Sequence, residues 1–127
     1  MSSRIYNICF DCADTYALSG FWAEVLRCSR HADAQPGDPE AMLLPTDGAG
    51  PIVFFQQVPE GKTIKNRLHM CLQPDDRTRD EEVERIIALG ATQVADHRRP
   101  DGAGWVVLAD PEGNEFCVLR SAAERAG

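Results

Sequence analysis

The side chains in this sequence that could do chemistry at neutral pH include the imidazole of His69 and the carboxylate of Glu115. An imidazole and a carboxylate can act together as acid and base, and both groups are common ligands of divalent metals. Each lies in a segment whose polar and apolar residues alternate as in a half-buried β-strand. What the two groups can do therefore depends on which face of a sheet their strands present.

The segment around His69 has a counterpart earlier in the chain. Residues 68–73 (LHMCLQ) match residues 6–11 (YNICFD) at an offset of 62 positions. After each copy come an amphipathic helical stretch, a Gly/Pro-rich region and an apolar strand, so the sequence repeats one unit twice. The position of His69 is held in the first copy by Asn7, and an amide is a far weaker ligand for a transition metal than an imidazole.

The periodicity predicts the order βαβββ twice within one α+β domain, residues 1–127, with modules at about 4–60 and 66–121. Helices are predicted from the N-cap Asp14 to Leu26 and at Asp80–Leu89. Their apolar stripes are Leu18, Phe21, Trp22, Val25 and Leu26 in the first helix, and Val83, Ile86 and Ile87 in the second. The predicted strands are 5–11, 29–34, 41–44, 52–58, 66–73, 92–97, 104–109 and 115–119.

Charge and hydropathy exclude some classes of partner. The formal net charge of -7 disfavours binding to nucleic acid, because affinity for phosphates depends on clustered Lys and Arg. No stretch has the ~18 apolar residues of a membrane span, and the N-terminus has no signal-peptide core. We therefore expect a cytoplasmic protein with no membrane partner.

The chain has five cysteines, an odd number without the spacing of a disulfide framework. Such usage is typical of a reducing compartment. Cys9-x-x-Cys12 has the spacing of a redox or zinc pair, but residues three apart on a strand point to opposite faces. Cys71 and Cys117, like Cys9, are interpreted as small apolar side chains.

Three segments give the chain a family resemblance: residues 21–26 (FWAEVL), 66–69 (NRLH) and, most specifically, 110–116 (DPEGNEF). With the duplicated βαβββ plan, they make the chain resemble the glyoxalase and bleomycin-resistance branch of the vicinal oxygen chelate superfamily along nearly its whole length. The resemblance implies two modules that form a curled, cup-shaped mixed sheet with helices on the outer face. It also implies a cavity that often holds a divalent metal, with ligands from the first and last strands of each module, and assembly as a homodimer.

When the ligand positions that the resemblance implies are carried over residue by residue, this sequence supplies only part of a metal site. His69 and Glu115 fall on the ligand positions of the second module, while Asn7 falls on the first-strand position of the first module. The last strand of the first module has no carboxylate, and its nearest oxygen donor is Gln56 or Gln57. Because a transition-metal site needs about three strong donors besides water, no cofactor is expected, with Zn, Ni, Fe or Mn as the alternative.

Strand parity predicts which side chains share the concave face with His69 and Glu115. The residues expected to contact a ligand there are Asn7, Cys9, Gln56, Cys71, Trp105 and Cys117. Plainer interpretations remain open: His69 and Glu115 could satisfy each other, Trp105 could be core or cover for the cavity mouth, and residues 96–101 could be a solvated loop at the rim.

Three hypotheses of function follow. The first, which we favour, is binding of a small organic molecule without the full superfamily metal site. The second is a metal-dependent enzyme of lyase, isomerase or dioxygenase type, with His69 and Glu115 as ligands. The third is a metal-free enzyme that uses His69 and Glu115 as acid and base.

Overall fold

The chain folds into two compact units, which divide between Gly61 and Lys62. The computed structural model describes residues 2–46, 48 and 50–126. Each unit has one four-stranded mixed sheet and a helix of at least 11 residues. The predicted α+β class with two tandem modules is thus confirmed.

The first unit follows the predicted order of elements. These are β1 (Asn7–Cys12), α1 (Thr15–Leu26), β2 (Ser29–Arg30), β3 (Glu40–Leu44) and β4 (Ile52–Gln57). The sheet order is β1-β4-β3-β2, with β1 parallel to β4 and the other neighbours antiparallel. The strand predicted at 29–34 is only two residues long, because the chain turns at His31, whose carbonyl accepts from the amide of Ala34.

Helix α1 begins and packs as its sequence predicts. The side chain of Asp14 caps it by accepting a hydrogen bond from the backbone amide of Ala17 at 3.0 Å. Trp22, which is fully buried, stacks on Phe10 of β1 with ring centroids 5.2 Å apart. Phe10 stacks in turn on Phe55 of β4 at 5.4 Å. The apolar stripe therefore packs against the predicted face of the sheet, and α1 and the sheet share one core.

The second unit repeats this topology. Its elements are β5 (Met70–Leu72), α2 (Arg79–Leu89), β6 (Thr92–Asp96), β7 (Val106–Ala109), β8 (Glu115–Val118) and α3 (Ala122–Ala126). The sheet order is β5-β8-β7-β6, again with the first and last strands parallel. Corresponding strands hold corresponding places in both sheets, so the sequence repeat is a repeat of topology. Across the described ranges, no helix is long and apolar enough to cross a membrane.

The structure corrects three expectations in the second unit. The strand predicted at 66–73 covers only β5, so His69 lies just before its first residue. Ile87, predicted in the core stripe of α2, is 39% exposed. Helix α3 was not predicted, although Ser121 and Glu124 form the reciprocal bonds of a capping box at its start.

Candidate ligand pocket in the second unit

A pocket of about 340 Å³ opens on one face of the second sheet. The side chains that line it come from the segment before β5, from β5, β7 and β8, and from residues next to β6, β7 and β8. They are Lys65, His69, Cys71, His97, Trp105, Val107, Glu115, Cys117 and Leu119. Apolar walls with a few convergent polar groups are typical of a small-molecule site.

Strand register explains why these residues meet. Cys71 of β5 lies opposite Cys117 of β8, and Cys117 lies opposite Val107 of β7. Residues opposite each other on neighbouring strands point to the same face, so the three side chains form a row across the sheet. Trp105 and Leu119, two residues from Val107 and Cys117, keep the same parity.

The pocket contains five of the predicted site residues: His69, Cys71, Trp105, Glu115 and Cys117. Sequence reasoning missed four others. Val107 and Leu119 could have been found by extending the strand parity by two positions. Lys65 lies in a segment interpreted as a linker and His97 in one interpreted as a solvated loop, and neither segment has a periodicity that marks a pocket.

The carboxylate of Glu115 is held by groups other than His69. Its oxygens lie 3.3 Å from the Nζ atoms of both Lys62 and Lys65, and it accepts a hydrogen bond from the backbone amide of Asn66 at 3.0 Å. The Asn66 amide, helped by the two lysines, lowers the pKa of Glu115 although burial acts to raise it. Glu115 is thus an ionised group whose partners among the described residues do not include His69.

The most specific segment of the family resemblance is a tight turn that delivers Glu115 to the start of β8. Asp110 is 3% exposed, and its Oδ1 accepts hydrogen bonds from the backbone amides of Glu112 and Asn114, each at 2.9 Å. The amide of Gly113 donates to the carbonyl of Asp110 at 2.8 Å, and Gly113 has φ +89°, which glycine adopts without strain. This turn fixes where β8 begins.

One wall of the pocket is aromatic. The rings of His97 and Trp105 are stacked with centroids 4.8 Å apart, and the amide of His97 donates to the carbonyl of Trp105 at 2.9 Å. Between them, Gly104 has φ +97°, and a Cβ at this position would overlap the carbonyl oxygen of His97. The close approach of the two segments therefore requires glycine.

The loop before Trp105 is fastened to α2 by Arg79, which is not among the residues that line the pocket. Arg79, the first residue of α2, is 5% exposed. Its Nη1 donates to the carbonyl oxygens of Gly102 and Gly104, each at 3.1 Å. A buried guanidinium with backbone acceptors is satisfied locally, so it ties the loop to the helix.

Three donor groups lie close together on the pocket floor. The ligand atoms of His69, Cys71 and Cys117 are all within 4.8 Å of one another. His69 and Cys71 are exposed, whereas Cys117 is 5% exposed. Burial raises the pKa of the Cys117 thiol to about 11, and the neighbouring Cys71 also acts to raise it. Cys117 is therefore a neutral thiol at pH 7.

The first unit carries the remaining predicted site residues on one face of its own sheet. Asn7 and Cys9 are exposed on β1. Gln56 of β4 pairs with Asp11 and shares this face, whereas the side chain of Gln57 donates to a backbone carbonyl beyond β1. The strand register therefore places Gln56, and not Gln57, on the face that Asn7 and Cys9 share. The part that Asn7, Cys9 and Gln56 play in ligand binding stays a prediction.

Two acidic side chains on that face were not singled out from the sequence. Asp11 follows the parity of Cys9 along β1, and Glu40 of β3 lies opposite Gln56. Burial, then Asp11 and Glu40, raise the pKa of Cys9. Extending the parity of β1 by two residues would have identified Asp11.

The fold and the pocket together define a class of protein, in which a duplicated βαβββ chain has a pocket on one face of a sheet. A family model described as Glyoxalase-like domain matches residues 7–119, and the chain belongs to this family. No curated protein sequence matches the chain.

Solved structures show the same fold. A glyoxalase/bleomycin resistance protein/dioxygenase family enzyme from Burkholderia phytofirmans PsJN is 21% identical with a TM-score of 0.66, covering 91% of this chain and 97% of that one. A mutant of the fosfomycin resistance protein FosX from Listeria monocytogenes, complexed with Mn(II) and 1S,2S-dihydroxypropylphosphonic acid, is 20% identical with a TM-score of 0.72, covering 98% and 95%. FosX from Mesorhizobium loti is 19% identical with a TM-score of 0.69, covering 99% and 98%.

The residues of this chain do not fit the divalent metal centre that the superfamily resemblance implies. Glu115 is engaged by two lysines and a backbone amide, and the first-strand position of the first unit holds Asn7. In the part of the chain that the structure describes, the one group of at least three His, Cys, Asp or Glu ligands is His69, Cys71 and Cys117. That group contains no carboxylate.

Proposed function

We propose that the protein binds a small organic molecule in the pocket of its second unit, without the His and carboxylate metal centre of its superfamily. The observation that carries this proposal is the lining of the pocket. Trp105, Val107 and Leu119 supply apolar surface, while His69 and Lys65 supply a few polar contacts. The family membership is compatible with a small-molecule ligand but identifies neither the ligand nor the sheet that binds it.

The lining also suggests the chemistry of the ligand. A planar ring can stack on Trp105, which is backed by His97 and is 36% exposed. Lys65, whose side chain is 63% exposed, is shared with Glu115 and can turn to an anionic group on the ligand. A pocket of about 340 Å³ is at the small end for organic ligands, so the proposed ligand is a single-ring acid or carbonyl compound.

The state of Glu115 favours binding over the acid–base alternative. A general base works best when its pKa lies near the operating pH. The pKa of Glu115 is lowered below its ordinary value by the backbone amide of Asn66 and by Lys62 and Lys65. The carboxylate is therefore a weak proton acceptor, and donors already occupy three of its about four lone-pair sites.

The test uses Trp105 as a reporter in the metal-free, chelator-treated protein. The chain has two tryptophans, and Trp22 is fully buried in the first unit. A panel of aromatic acids and small carbonyl compounds is screened for a rise in Tm and a change in tryptophan fluorescence. We expect a micromolar ligand that raises Tm, that changes the emission of the wild type but not of Trp105→Phe, and that is recovered unchanged.

Val107→Phe places a larger side chain in the pocket and should abolish the rise in Tm that the ligand causes. Val94→Phe is the matched control, because Val94 is 52% exposed and lies outside the lining. A panel without any stabilising compound would contradict the proposal, as would full binding by Val107→Phe. Chemical conversion of the ligand would favour an enzyme instead.

Assembly is a second part of the proposal. The chain is expected to form a homodimer, and large exposed apolar side chains, such as Tyr6 at 70% and Leu68 at 83%, are surface that an interface would bury. Light scattering should give twice the chain mass of 14.0 kDa. A mass of one chain at all concentrations would refute the dimer.

A further inference from the structure

The floor of the pocket is built from three metal-ligand side chains, of which the superfamily site uses His69 but not Cys71 or Cys117. Cys71 and Cys117 lie directly opposite each other on parallel neighbouring strands, and His69 precedes Cys71 by two residues on the same face. Their ligand atoms are within 4.8 Å of one another. One imidazole and two thiols therefore converge from a single unit.

We propose that His69, Cys71 and Cys117 form a site for a thiophilic divalent ion of the Zn²⁺ type, with its fourth position open to the pocket. Cys71 and Cys117 bind the ion as thiolates, and each thiol releases its proton to water when the ion binds. This site shares no carboxylate with the arrangement that the superfamily resemblance implies, and it needs no residue of the first unit. It rests on the same pocket as the proposed function, because the open position would be completed by water or by a donor atom of the organic ligand.

The distances fit such an ion after a small adjustment. Tetrahedral Zn²⁺ has Zn–S bonds of about 2.3 Å, which places two thiolates about 3.8 Å apart. The observed limit of 4.8 Å requires the ligand atoms to close by about 1 Å or less. Because Cys71 and His69 are exposed, their side chains can rotate toward the buried Cys117 without repacking the core.

The donor set selects the kind of ion. Thiolates favour Zn²⁺ and other soft or borderline ions, whereas Mg²⁺, Ca²⁺ and Mn²⁺ prefer oxygen ligands. Two thiolates and one imidazole with one open position are also a ligand set that catalytic zinc sites use. Glu115, the carboxylate in the pocket lining, is held by Lys62 and Lys65 and is not part of the group.

The test follows Co²⁺, a spectroscopic substitute for Zn²⁺, in the reduced full-length protein without organic ligand. We expect one Co²⁺ per chain, a thiolate-to-cobalt charge-transfer band in the near ultraviolet, and loss of the band when Zn²⁺ is added. Cys71→Ser should reduce the band to about half, because one of two thiolates is lost, and should weaken binding at least about 10-fold. His69→Gln should weaken binding while leaving the thiolate band.

The matched control is Cys9→Ser. Cys9 holds the position in β1 that Cys71 holds in β5 and is likewise exposed, but it lies opposite Phe54. Its substitution should change neither the band nor the affinity. Because Cys117 is buried, Cys117→Ala is tested with a circular dichroism spectrum, and Cys71→Ser decides the outcome if that variant does not fold.

The proposal would be overturned by a wild type without the charge-transfer band, by an unchanged band in Cys71→Ser, or by an equal loss in Cys9→Ser. These results are independent of the ligand screen, which uses chelator-treated protein. Ligand binding without the band would remove the metal site alone, and the band without ligand binding would remove the proposed function alone.

Discussion

The two units place the same residue at matching positions and surround it with different partners. Cys9 of the first unit lies opposite Phe54, whereas Cys71 of the second unit lies opposite Cys117. Only the second arrangement brings two thiols together. One cross-strand neighbour therefore decides whether a repeated cysteine is an isolated side chain or part of a cluster.

The position two residues before this cysteine also differs between the units, and again the second unit has the better metal ligand. The second unit has His69 where the first has Asn7, and the described residues that line the pocket of about 340 Å³ all belong to the second unit. Both sheets nevertheless keep the same strand order. The comparison teaches that both units keep the same scaffold, whereas the imidazole and the pair of facing thiols belong to the second unit.

The largest effect on stability is expected from truncating a core aromatic side chain in each unit. These variants test whether the two units depend equally on their hydrophobic cores. Trp22→Ala in the first unit and Phe116→Ala in the second each remove a side chain at most 1% exposed and should each lower the free energy of unfolding by about 3–5 kcal/mol. Trp105→Ala, at 36% exposure, should cost about 1 kcal/mol or less. Urea unfolding followed by circular dichroism measures all three, and a cost below about 1 kcal/mol for either core variant would contradict equal dependence.

The next prediction concerns a variant designed to build the group of one imidazole and two thiols in the first unit. Because Phe54 lies opposite Cys9 as Cys117 lies opposite Cys71, the double variant Asn7→His/Phe54→Cys should reproduce the three-ligand group. We expect a second equivalent of Co²⁺, bound about 100-fold more tightly than by Asn7→His alone, and a charge-transfer band about twice as intense. An unchanged stoichiometry in a folded variant would show that the cross-strand neighbour is not sufficient.

A smaller effect concerns the carboxylate of the second unit. The pKa of Glu115 is lower in the folded than in the unfolded protein, so its ionised form stabilises the fold. This stabilisation is fully present above the unfolded pKa of about 4.3. It is lost as the pH falls through the folded pKa. Glu115→Gln should therefore cost about 1 kcal/mol at pH 7 and almost nothing at acidic pH.

Unfolding by urea at a series of pH values checks this dependence. Glu84→Gln, at an exposed position of α2, is the control and should give a difference near zero throughout. A cost of Glu115→Gln that did not shrink on acidification would mean that packing, and not the charge, is the cause.

The smallest expected effect compares the two helix caps. Asp14 caps α1 by one side-chain bond, and Thr78 caps α2 in a reciprocal box with Glu81. Asp14→Ala and Thr78→Ala should each lower the free energy of unfolding by about 0.5–1 kcal/mol. Thermal unfolding measures both, with Asp14→Ser and Thr78→Ser as variants that keep the cap. Equal losses in the Ala and Ser variants would contradict a capping role.

Local signals in the sequence were sufficient for much of the fold. The N-cap Asp14 and the last residue Leu26 were predicted for α1, because capping and 3.6-residue periodicity depend on residues close in the chain. The strand around His69 was predicted too long for the opposite reason. Asn66 does not pair in a strand but exchanges hydrogen bonds with Glu115, a contact across 49 positions that periodicity does not report.

The candidate pocket was predictable where strand parity applies. Parity placed Cys71 and Cys117 on one face, and the register of β5 and β8 then set them side by side. The lysines could not be found this way. Lys62 and Lys65 lie in an irregular segment without alternation, and their contacts with Glu115 depend on how that segment folds back.

The anchoring of the aromatic wall has a consequence for tuning the pocket. Arg79 is not part of the lining, yet its guanidinium holds the carbonyls of Gly102 and Gly104, next to Trp105. Arg79→Lys would keep the positive charge but not the planar fork that reaches several acceptors. The shape of the pocket would then be altered remotely, from the first turn of a helix, without exchange of any residue in its lining.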